Sequence, residues 1–263
     1  MNRLTIAIPT FRRPQDLKRA VIGVLEQAGE LVGGSSAEAR EPEGDAAGAA
    51  DVDGVAGRGV SDVEVLVIDN DAQGTGREAA LAAAADAGVP VRSSAEAPEE
   101  PGGVGLRYVV EERPGVAAVR NRALDETGGR DLLVFIDDDE EPEPGWLAAL
   151  VGLWASTGCQ AVAGPVIPVY EVEPEAWVRQ GEFFVRRTWP TGTVRPVAAS
   201  NCLLLDLGFV RRAGLRFDEG FGATGGEDTL FTRRLSAAGG VIRWCDEARV
   251  RDHVPASRLT RPW

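Results

Sequence analysis

The sequence predicts an α/β fold with a Rossmann-like, mostly parallel central sheet and helices on both faces. Short apolar strands alternate four times with helical patterns in the first half of the 263-residue chain. Polar residues directly follow three of these strands, at the sheet edge where parallel sheets gather ligands. The composition, with 44% apolar and 26% charged residues, is ordinary for a globular protein.

The strand–helix units of the first half are read directly from periodicity. The strands are predicted in the stretches RLTIAI, VEVLVIDN, LRYVVEE and LLVFI. Apolar residues at i, i+3, i+4, i+7 and i+8 spacing from Leu17 to Leu25 predict the first helix. An alanine-rich stretch from Arg77 to Ala87 predicts the second, and PGVAAVRNRALDET, which opens with a proline suited to a first helical position, predicts the third.

The second half, from about Ala161, has a less regular pattern. Strands are predicted in AVAGPV, SNCLLL, GVIRWC and ARVRDHV, and a helix from Asp228 to Ala238. We expect a single domain over residues 1–263 in which both halves share one continuous sheet. Two low-complexity stretches, at about 30–62 and 93–105, are rich in Gly, Ala, Ser and acids, and we expect them to be disordered insertions.

Charge and hydropathy exclude several classes of function. The formal net charge of −13 argues against a nucleic acid as partner, because such binding needs a basic surface that releases counterions. No stretch approaches the roughly 18 apolar residues of a membrane helix, and Pro9 interrupts the apolar start before a signal peptide is complete. We therefore expect a cytoplasmic protein. The cysteines are widely spaced, which indicates buried thiols and no disulfide framework.

Three consecutive aspartates, Asp137, Asp138 and Asp139, follow the buried strand LLVFI. Crowded carboxylates raise one another's pKa unless a positive charge lies among them. Acidic oxygen ligands at a strand end suit Mn²⁺ or Mg²⁺, which would be held jointly with a diphosphate because the protein ligands are few. The alternative is that these acids cap the helix predicted to start near Pro144.

Five segments together resemble the inverting family 2 glycosyltransferases, which have the GT-A fold. They are IAIPTFRRPQDLKRAV, VEVLVIDN, RPGVAAVRNRAL, VFIDDDEEPEPGWL and GFGATGGEDTLFTRRL, in the family's order and at its approximate spacing. The resemblance implies a metal-dependent, hexosyltransferase-type enzyme that moves a sugar from a nucleoside-diphosphate sugar to an acceptor hydroxyl. It also implies a nucleotide-binding half at about 1–140 and an acceptor half at about 141–263.

The resemblance assigns individual residues to the donor site. Asp69 matches the acid that accepts from a base N–H, a role that suits an acceptor-only carboxylate. Asp139 matches the residue bound to the metal, and Arg120 has the alternative of a salt bridge on a helix face. The nucleotide-sugar contacts implied in this way are Pro9, Thr10, Arg12, Asp69, Arg120, Asn121, Asp137, Asp138, Gly164 and Asn201.

The segment GGEDTL is matched to the catalytic acids. In the family the aspartate of this pair, here Asp228, acts as general base on the acceptor hydroxyl, with Glu227 as base or acceptor contact. Asp228 could instead cap the helix that begins there. His253, the only histidine, is a candidate metal ligand, and its alternative is a surface or packed imidazole.

Other readings stay open at this point. A sugar-nucleotide pyrophosphorylase needs a glycine-rich loop after the first strand, and IPTFRRP contains no glycine. A haloacid dehalogenase-type phosphatase wants Thr or Val where Glu141 stands. A catalytically silent sugar-nucleotide-binding protein is opposed by the Glu227–Asp228 pair alone. The acceptor is open among a glycan, a lipid-linked sugar and a small molecule. The ending ASRLTRPW resembles the start of a further segment, so a peripheral membrane association is also open.

Overall fold

A computed structural model describes residues 2–37, 59–93, 103–221 and 225–260, and all structural statements concern these residues. The strands are β1 (Asn2–Thr10), β2 (Val60–Asp69), β3 (Gly103–Val110), β4 (Leu132–Ile136), β5 (Glu140–Pro142), β6 (Ala161–Ala163), β7 (Val166–Tyr170), β8 (Val194–Arg195), β9 (Cys202–Asp206), β10 (Ile242–Trp244) and β11 (Val250–Val254). The α-helices are α1 (Pro14–Ala37), α2 (Arg77–Asp86), α3 (Val116–Glu126), α4 (Trp146–Thr157), α5 (Ala176–Gly181), α6 (Leu207–Arg212) and α7 (Glu227–Ala237). Short 3-10 helices span Glu219–Phe221 and Ala256–Leu259.

The strands form two sheets. The large sheet has the order β3-β2-β1-β4-β9-β6-β10-β8, and the small sheet has the order β5-β11-β7. Strands β1 to β4 pair in parallel, whereas β9 is antiparallel to both of its neighbours. The α/β class and the large central sheet are confirmed. Both halves of the chain contribute strands to the large sheet, as expected, whereas β11, predicted in ARVRDHV, pairs with β5 and β7 in the small sheet.

Helices cover both faces of the large sheet, as predicted. Along β4, the side chains of Leu132, Val134 and Ile136 join one apolar cluster, and those of Leu133 and Phe135 join another. This alternation follows from the two-residue period of a strand. Helices α1, α2 and α4 contribute to the first cluster, and α3, α6 and α7 to the second. The sheet edge that is expected to hold the ligand site is therefore formed by strands that are buried on both faces.

The predicted insertions at 30–62 and 93–105 are too wide at their edges. Helix α1 continues to Ala37, β2 begins at Val60 and β3 begins at Gly103, while residues 38–58 and 94–102 lie outside the described part. The apolar pattern does not mark the start of β2, because Asp62 lies there. Asp62 is buried and pairs with Arg92 and Arg130. Among the described helices, none has both the length and the apolar character needed to cross a membrane.

Candidate active site

A cleft of about 620 Å³ opens at the carboxyl ends of β1, β2 and β4. One part of its wall is apolar, with Phe11, Pro114, Val116 and Val119. The other part is charged. Its charged lining residues are Arg13, Arg120, Asp137, Asp138, Asp139 and Arg258. The topology explains this grouping, since parallel strands bring their ends to one edge of the sheet.

Asp138 is the most buried of the three aspartates. Its carboxylate accepts from the Thr10 hydroxyl at 2.7 Å and from Nη1 of Arg13 at 3.3 Å. The same Arg13 nitrogen donates to Asp139 at 2.6 Å. Burial raises the pKa of Asp138 to about 6 against the lowering effects of Thr10 and Arg13. Two of the predicted contacts, Thr10 and Asp138, are thus joined to each other at the cleft wall.

Glu140 is a further buried acid behind the aspartates. It accepts from the backbone N–H of Asp137 at 3.0 Å and from the side-chain amide of Asn201 at 2.5 Å. Asn201 in turn accepts from Arg186 at 3.1 Å. Burial, and then the charge of Asp137, raise the pKa of Glu140 well above its usual range. Asn201, predicted as a sugar contact, lies in a chain of hydrogen bonds that supports the aspartates.

Arg120 joins the cleft to the start of α7. It is buried, forms a close ion pair with Glu227, and lies 3.8 Å from Oδ1 of Asp137. Burial raises the pKa of Asp137, while Arg120 opposes that rise. One oxygen of Glu227, Oε2, is buried without a hydrogen-bond partner among the described residues. Arg120 therefore lines the cleft and makes a salt bridge between helices α3 and α7, while its contact with a nucleotide stays a prediction.

Asp228 lies where the sequence predicts it, in the first turn of α7. The turn before it needs glycine, because Gly225 and Gly226 have φ values of 71° and 97°. The Asp228 carboxylate is half-buried and accepts from the N–H of Thr229 at 2.6 Å. Residues 222–224, which precede this turn, lie outside the described part. The geometry places Glu227 against Arg120 and leaves Asp228 as the more accessible acid of the pair.

The end of β2 is organised differently. Asp69 is fully buried and accepts from the N–H groups of Asp71 and Gly76 at 2.9 and 2.8 Å and from the hydroxyl of Tyr108 at 2.5 Å. Its side chain therefore supports the turn into α2, and the cleft wall at this strand end is formed by Asn70. In place of a free acceptor for a base N–H, the structure shows a carboxylate with three donors.

Two consecutive arginines follow Phe11, and only the second reaches the cleft. Arg12 has a left-handed backbone, with φ of 56°, and its exposed side chain pairs with Asp71 at 3.2 Å. Arg13 lines the cleft between Asp138 and Asp139. The structure therefore places Arg13, and not Arg12, in the lining of the cleft, and a nucleotide contact from Arg12 stays a prediction.

Two further predicted contacts lie in packing positions. Asn121 is buried and exchanges hydrogen bonds with the backbone of Phe217, at 2.9 Å in each direction. A Cβ atom at Gly164 would lie 2.1 Å from the carbonyl oxygen of Ala248 and 2.7 Å from Sγ of Cys202. The absence of a side chain at Gly164 is therefore needed for close backbone packing. Pro9, by contrast, lines the cleft as predicted.

The metal-ligand candidates meet beside a second cavity of about 330 Å³, which Asp139 and His253 both line. The His253 ring lies 3.0 Å from Glu141, and its backbone N–H donates to the carbonyl of Asp139 at 3.2 Å. Within the described ranges, no three His, Cys, Asp or Glu side chains are arranged to hold a metal by themselves. The carboxylates still suit a hard cation: Asp252, close enough to Asp139 for their charges to interact, has a buried oxygen, Oδ1, without a hydrogen-bond partner among the described residues.

Several residues of the site escaped the sequence analysis. Arg13 could not be told from Arg12 without the backbone conformation of the turn. Asp252 is partly buried, and burial together with the charge of Asp139 raises its pKa. Asp252 lies on β11, opposite Glu140 of β5. The sequence does not show this pairing of β11 with β5. Arg258 lines both cavities from the 3-10 helix after β11.

Comparison with known proteins gives one family. The model of the family Glycosyl transferase family 2 matches residues 52–207. The succinoglycan biosynthesis protein ExoM of Rhizobium meliloti (strain 1021) is 35% identical over 164 residues, which are 60% of this chain and 51% of ExoM. The chain thus spans about half the length of the curated relative that it matches.

Solved structures agree in fold. The structure described as S. aureus TarS 1-349 in complex with UDP covers 96% of this chain and 60% of its own, with a TM-score of 0.61 and 13% identity. The structure described as GalNAc-T7 with UDP, GalNAc and Mn²⁺ covers 99% of this chain and 45% of its own, with a TM-score of 0.63 and 14% identity. The predicted GT-A fold is confirmed.

Proposed function

The chain belongs to glycosyl transferase family 2, and on that premise we propose that it moves a sugar from a nucleoside diphosphate to an acceptor hydroxyl with inversion at the sugar. The observation that carries the proposal is the divided cleft. Its apolar part suits a base and ribose, and its part with Arg13, Arg120 and the aspartates suits a diphosphate with a cation. UDP-sugars are the donors to test first, because TarS has been solved with UDP-GlcNAc.

A divalent cation, Mn²⁺ or Mg²⁺, fits the acidic part of the cleft. Asp139 with His253 would hold it, and two protein ligands are sufficient where substrate phosphates complete the shell. When bound, such a cation neutralises negative charge on the departing diphosphate. The structure of GalNAc-T7 with UDP, GalNAc and Mn²⁺ supports this part of the proposal.

The acids at the start of α7 serve the acceptor. Asp228 takes the proton from the attacking hydroxyl. Its carboxylate is half-buried, and its described side-chain hydrogen bonds are both with the adjacent Thr229. Glu227 is held by Arg120, which fixes the beginning of α7 relative to the donor cleft. The acceptor remains defined by class, as a glycan, a lipid-linked sugar or a small molecule with a hydroxyl group. The cytoplasmic location and the peripheral membrane association stay predictions from the sequence.

The test combines donor binding with turnover. Thermal unfolding with UDP, GDP, dTDP and CDP, each with and without Mn²⁺, identifies the base, since a ligand of the folded state raises the melting temperature. We expect Asp139→Ala to abolish the Mn²⁺-dependent part of the shift. We expect Asp228→Asn to keep the shift and to lower the release of nucleoside diphosphate from donor sugar by about 10²- to 10⁴-fold in the presence of candidate acceptors.

The matched control is Asp246→Asn, whose half-buried carboxylate pairs with Arg249 in a turn. It should keep both the shift and the turnover. Wild-type turnover in Asp228→Asn would show that the base is another residue. Binding of a donor without release of diphosphate from any donor and acceptor pair would contradict the transferase and favour a sugar-nucleotide-binding protein.

A further inference from the structure

Arg13 lies at the junction of the two cavities and contacts Asp139, on which cation binding is proposed to depend. It lines both the 620 Å³ cleft and the 330 Å³ cavity, as Asp139 does. Its Nη1 atom makes both ion pairs, at 2.6 Å to Asp139 and 3.3 Å to Asp138. The guanidinium group carries five N–H donors, so most of its fork lies outside these two contacts.

The burial of the partners differs in a way that permits exchange. The Arg13 side chain is 44% exposed, whereas those of Asp138 and Asp139 are 7% and 19% exposed. An exposed arginine on a flexible stem can change rotamer without disturbing the core. The carboxylates, on the short segment after β4, are fixed by comparison. Arg13 is therefore the mobile member of this ion pair.

Arg13 and a divalent cation compete for the same carboxylate. A cation on Asp139 brings a second positive charge to the carboxylate that Arg13 contacts at 2.6 Å, and the repulsion between the two charges weakens that contact. A diphosphate supplies Arg13 with a new counter-charge, because a planar guanidinium donates in pairs to phosphate oxygens. Each ligand consequently removes an obstacle to the other.

We propose that Arg13 is a diphosphate-binding residue which Asp139 holds in the absence of ligand, so that divalent cation and diphosphate bind with positive coupling. The identity of the two ligands rests on the proposed function. The coupling itself rests on the Arg13 contacts. By thermodynamic linkage, the factor by which diphosphate strengthens cation binding equals the factor by which the cation strengthens diphosphate binding.

The experiment measures Mn²⁺ binding by the electron paramagnetic resonance signal of free Mn²⁺, alone and with pyrophosphate. Pyrophosphate carries the chemistry that all nucleoside diphosphates share, and its own affinity for Mn²⁺ in solution is subtracted. In the wild type we expect pyrophosphate to tighten Mn²⁺ binding by about tenfold or more. In Arg13→Gln we expect Mn²⁺ alone to bind several-fold more tightly and the coupling to fall by about tenfold.

Two variants serve as controls. Arg216→Gln changes an arginine of similar exposure, which pairs with Asp125 outside the lining of both cavities, and should behave as the wild type. Arg13→Lys keeps the charge without the fork and should retain part of the coupling. Thermal unfolding checks that all variants are folded, and a 44% exposed side chain is a safe site for this purpose.

Opposite changes in the two affinities are the signature of exchange. If Arg13→Gln weakens Mn²⁺ binding in the absence of pyrophosphate, or keeps the wild-type coupling, the role of Arg13 is overturned while a wild-type enzyme that turns over donor with Mn²⁺ keeps its proposed function. If the wild type binds neither Mn²⁺ nor pyrophosphate and releases no diphosphate, the proposed function falls and the inference with it.

Discussion

Strands β2 and β4 both end in carboxylates that follow a buried apolar run, yet the two strand ends differ in how those charges are satisfied. At the end of β2, Asp69 accepts three hydrogen bonds, from two backbone N–H groups and the Tyr108 hydroxyl. At the end of β4, Asp137 and Asp138 lie in a group of acids that burial and mutual repulsion hold at raised pKa values. Asp69, with three hydrogen-bond donors of its own, stabilises the turn after β2. Asp137 and Asp138, which lie among other acids, favour the approach of a positively charged ligand.

This difference has an energetic meaning. A raised pKa means that the folded protein disfavours the charged carboxylate relative to the unfolded chain. The β4 end therefore lowers stability near neutral pH in return for a place where positive charge is attracted. At the β2 end, Asp69 contributes stability through its hydrogen bonds, because its partners are donors that would otherwise be buried and unpaired.

The largest expected effect lies at the β2 end. Asp69→Ala leaves two backbone N–H groups and the Tyr108 hydroxyl without their acceptor, and we expect the free energy of unfolding to fall by about 3 kcal/mol or more. Urea unfolding followed by circular dichroism measures it. Asp125→Ala, which removes an exposed ion pair with Arg216, should cost less than about 1 kcal/mol. Equal losses in the two variants would break the comparison.

The next effect is a pH dependence that belongs to the β4 end. Asp138 has a pKa of about 6 in the fold, above its usual value, so the folded state binds the proton more tightly than the unfolded chain. Stability from this group therefore rises as the pH falls from 7 to 5, by about 1 kcal/mol, and the raised pKa values of Asp137, Glu140 and Asp252 act in the same direction.

Urea unfolding at pH 5, 6 and 7 without metal checks this sign. Asp138→Asn should show a smaller slope than the wild type. A wild-type stability that falls steadily from pH 7 to 5 would mean that Arg13 and Thr10 already satisfy Asp138 in solution.

The smallest effect is a gain in stability from a change at the site. Asp137→Asn removes one charge from the acidic group and keeps the side-chain shape, so we expect the metal-free protein to become more stable at pH 7. Because the side chain is 35% exposed and water screens the repulsion, the gain should be about 0.5 kcal/mol or less. Thermal and urea unfolding of both proteins in chelator give this number. A loss of stability would show instead that Arg120, 3.8 Å away, already compensates Asp137.

The fold was predictable because its signals are local. Apolar runs and helical spacing gave the parallel strands, and the aspartates after LLVFI marked the edge where the cleft lies. The start of β2 was not predicted, because Asp62 interrupts its apolar pattern. The charge of Asp62 is tolerated inside the fold because it pairs with Arg92 and Arg130, which are distant in sequence. Helix α6 is short and depends on one cap, in which Asp206 accepts from the N–H of Phe209 at 2.8 Å.

The site was predictable to the level of strand ends and no further. Sequence reasoning placed Thr10, Asp137, Asp138 and Asp139 at the cleft, and the structure brings them together there. It could not show that Asp69 accepts a hydrogen bond from the Tyr108 hydroxyl, since that contact depends on the pairing of β2 with β3. Asn121 and Gly164 fit a family pattern, but their contacts are with Phe217 and Ala248.

The connection between β1 and α1 contains three residues, Phe11, Arg12 and Arg13. In so short a connection, one residue more or fewer would bring a different side chain over Asp139. Loop length here thus becomes a criterion for sorting homologues. Those with a three-residue link ending in arginine should load cation and donor together, and those with a glycine or serine at that position should take up the cation first.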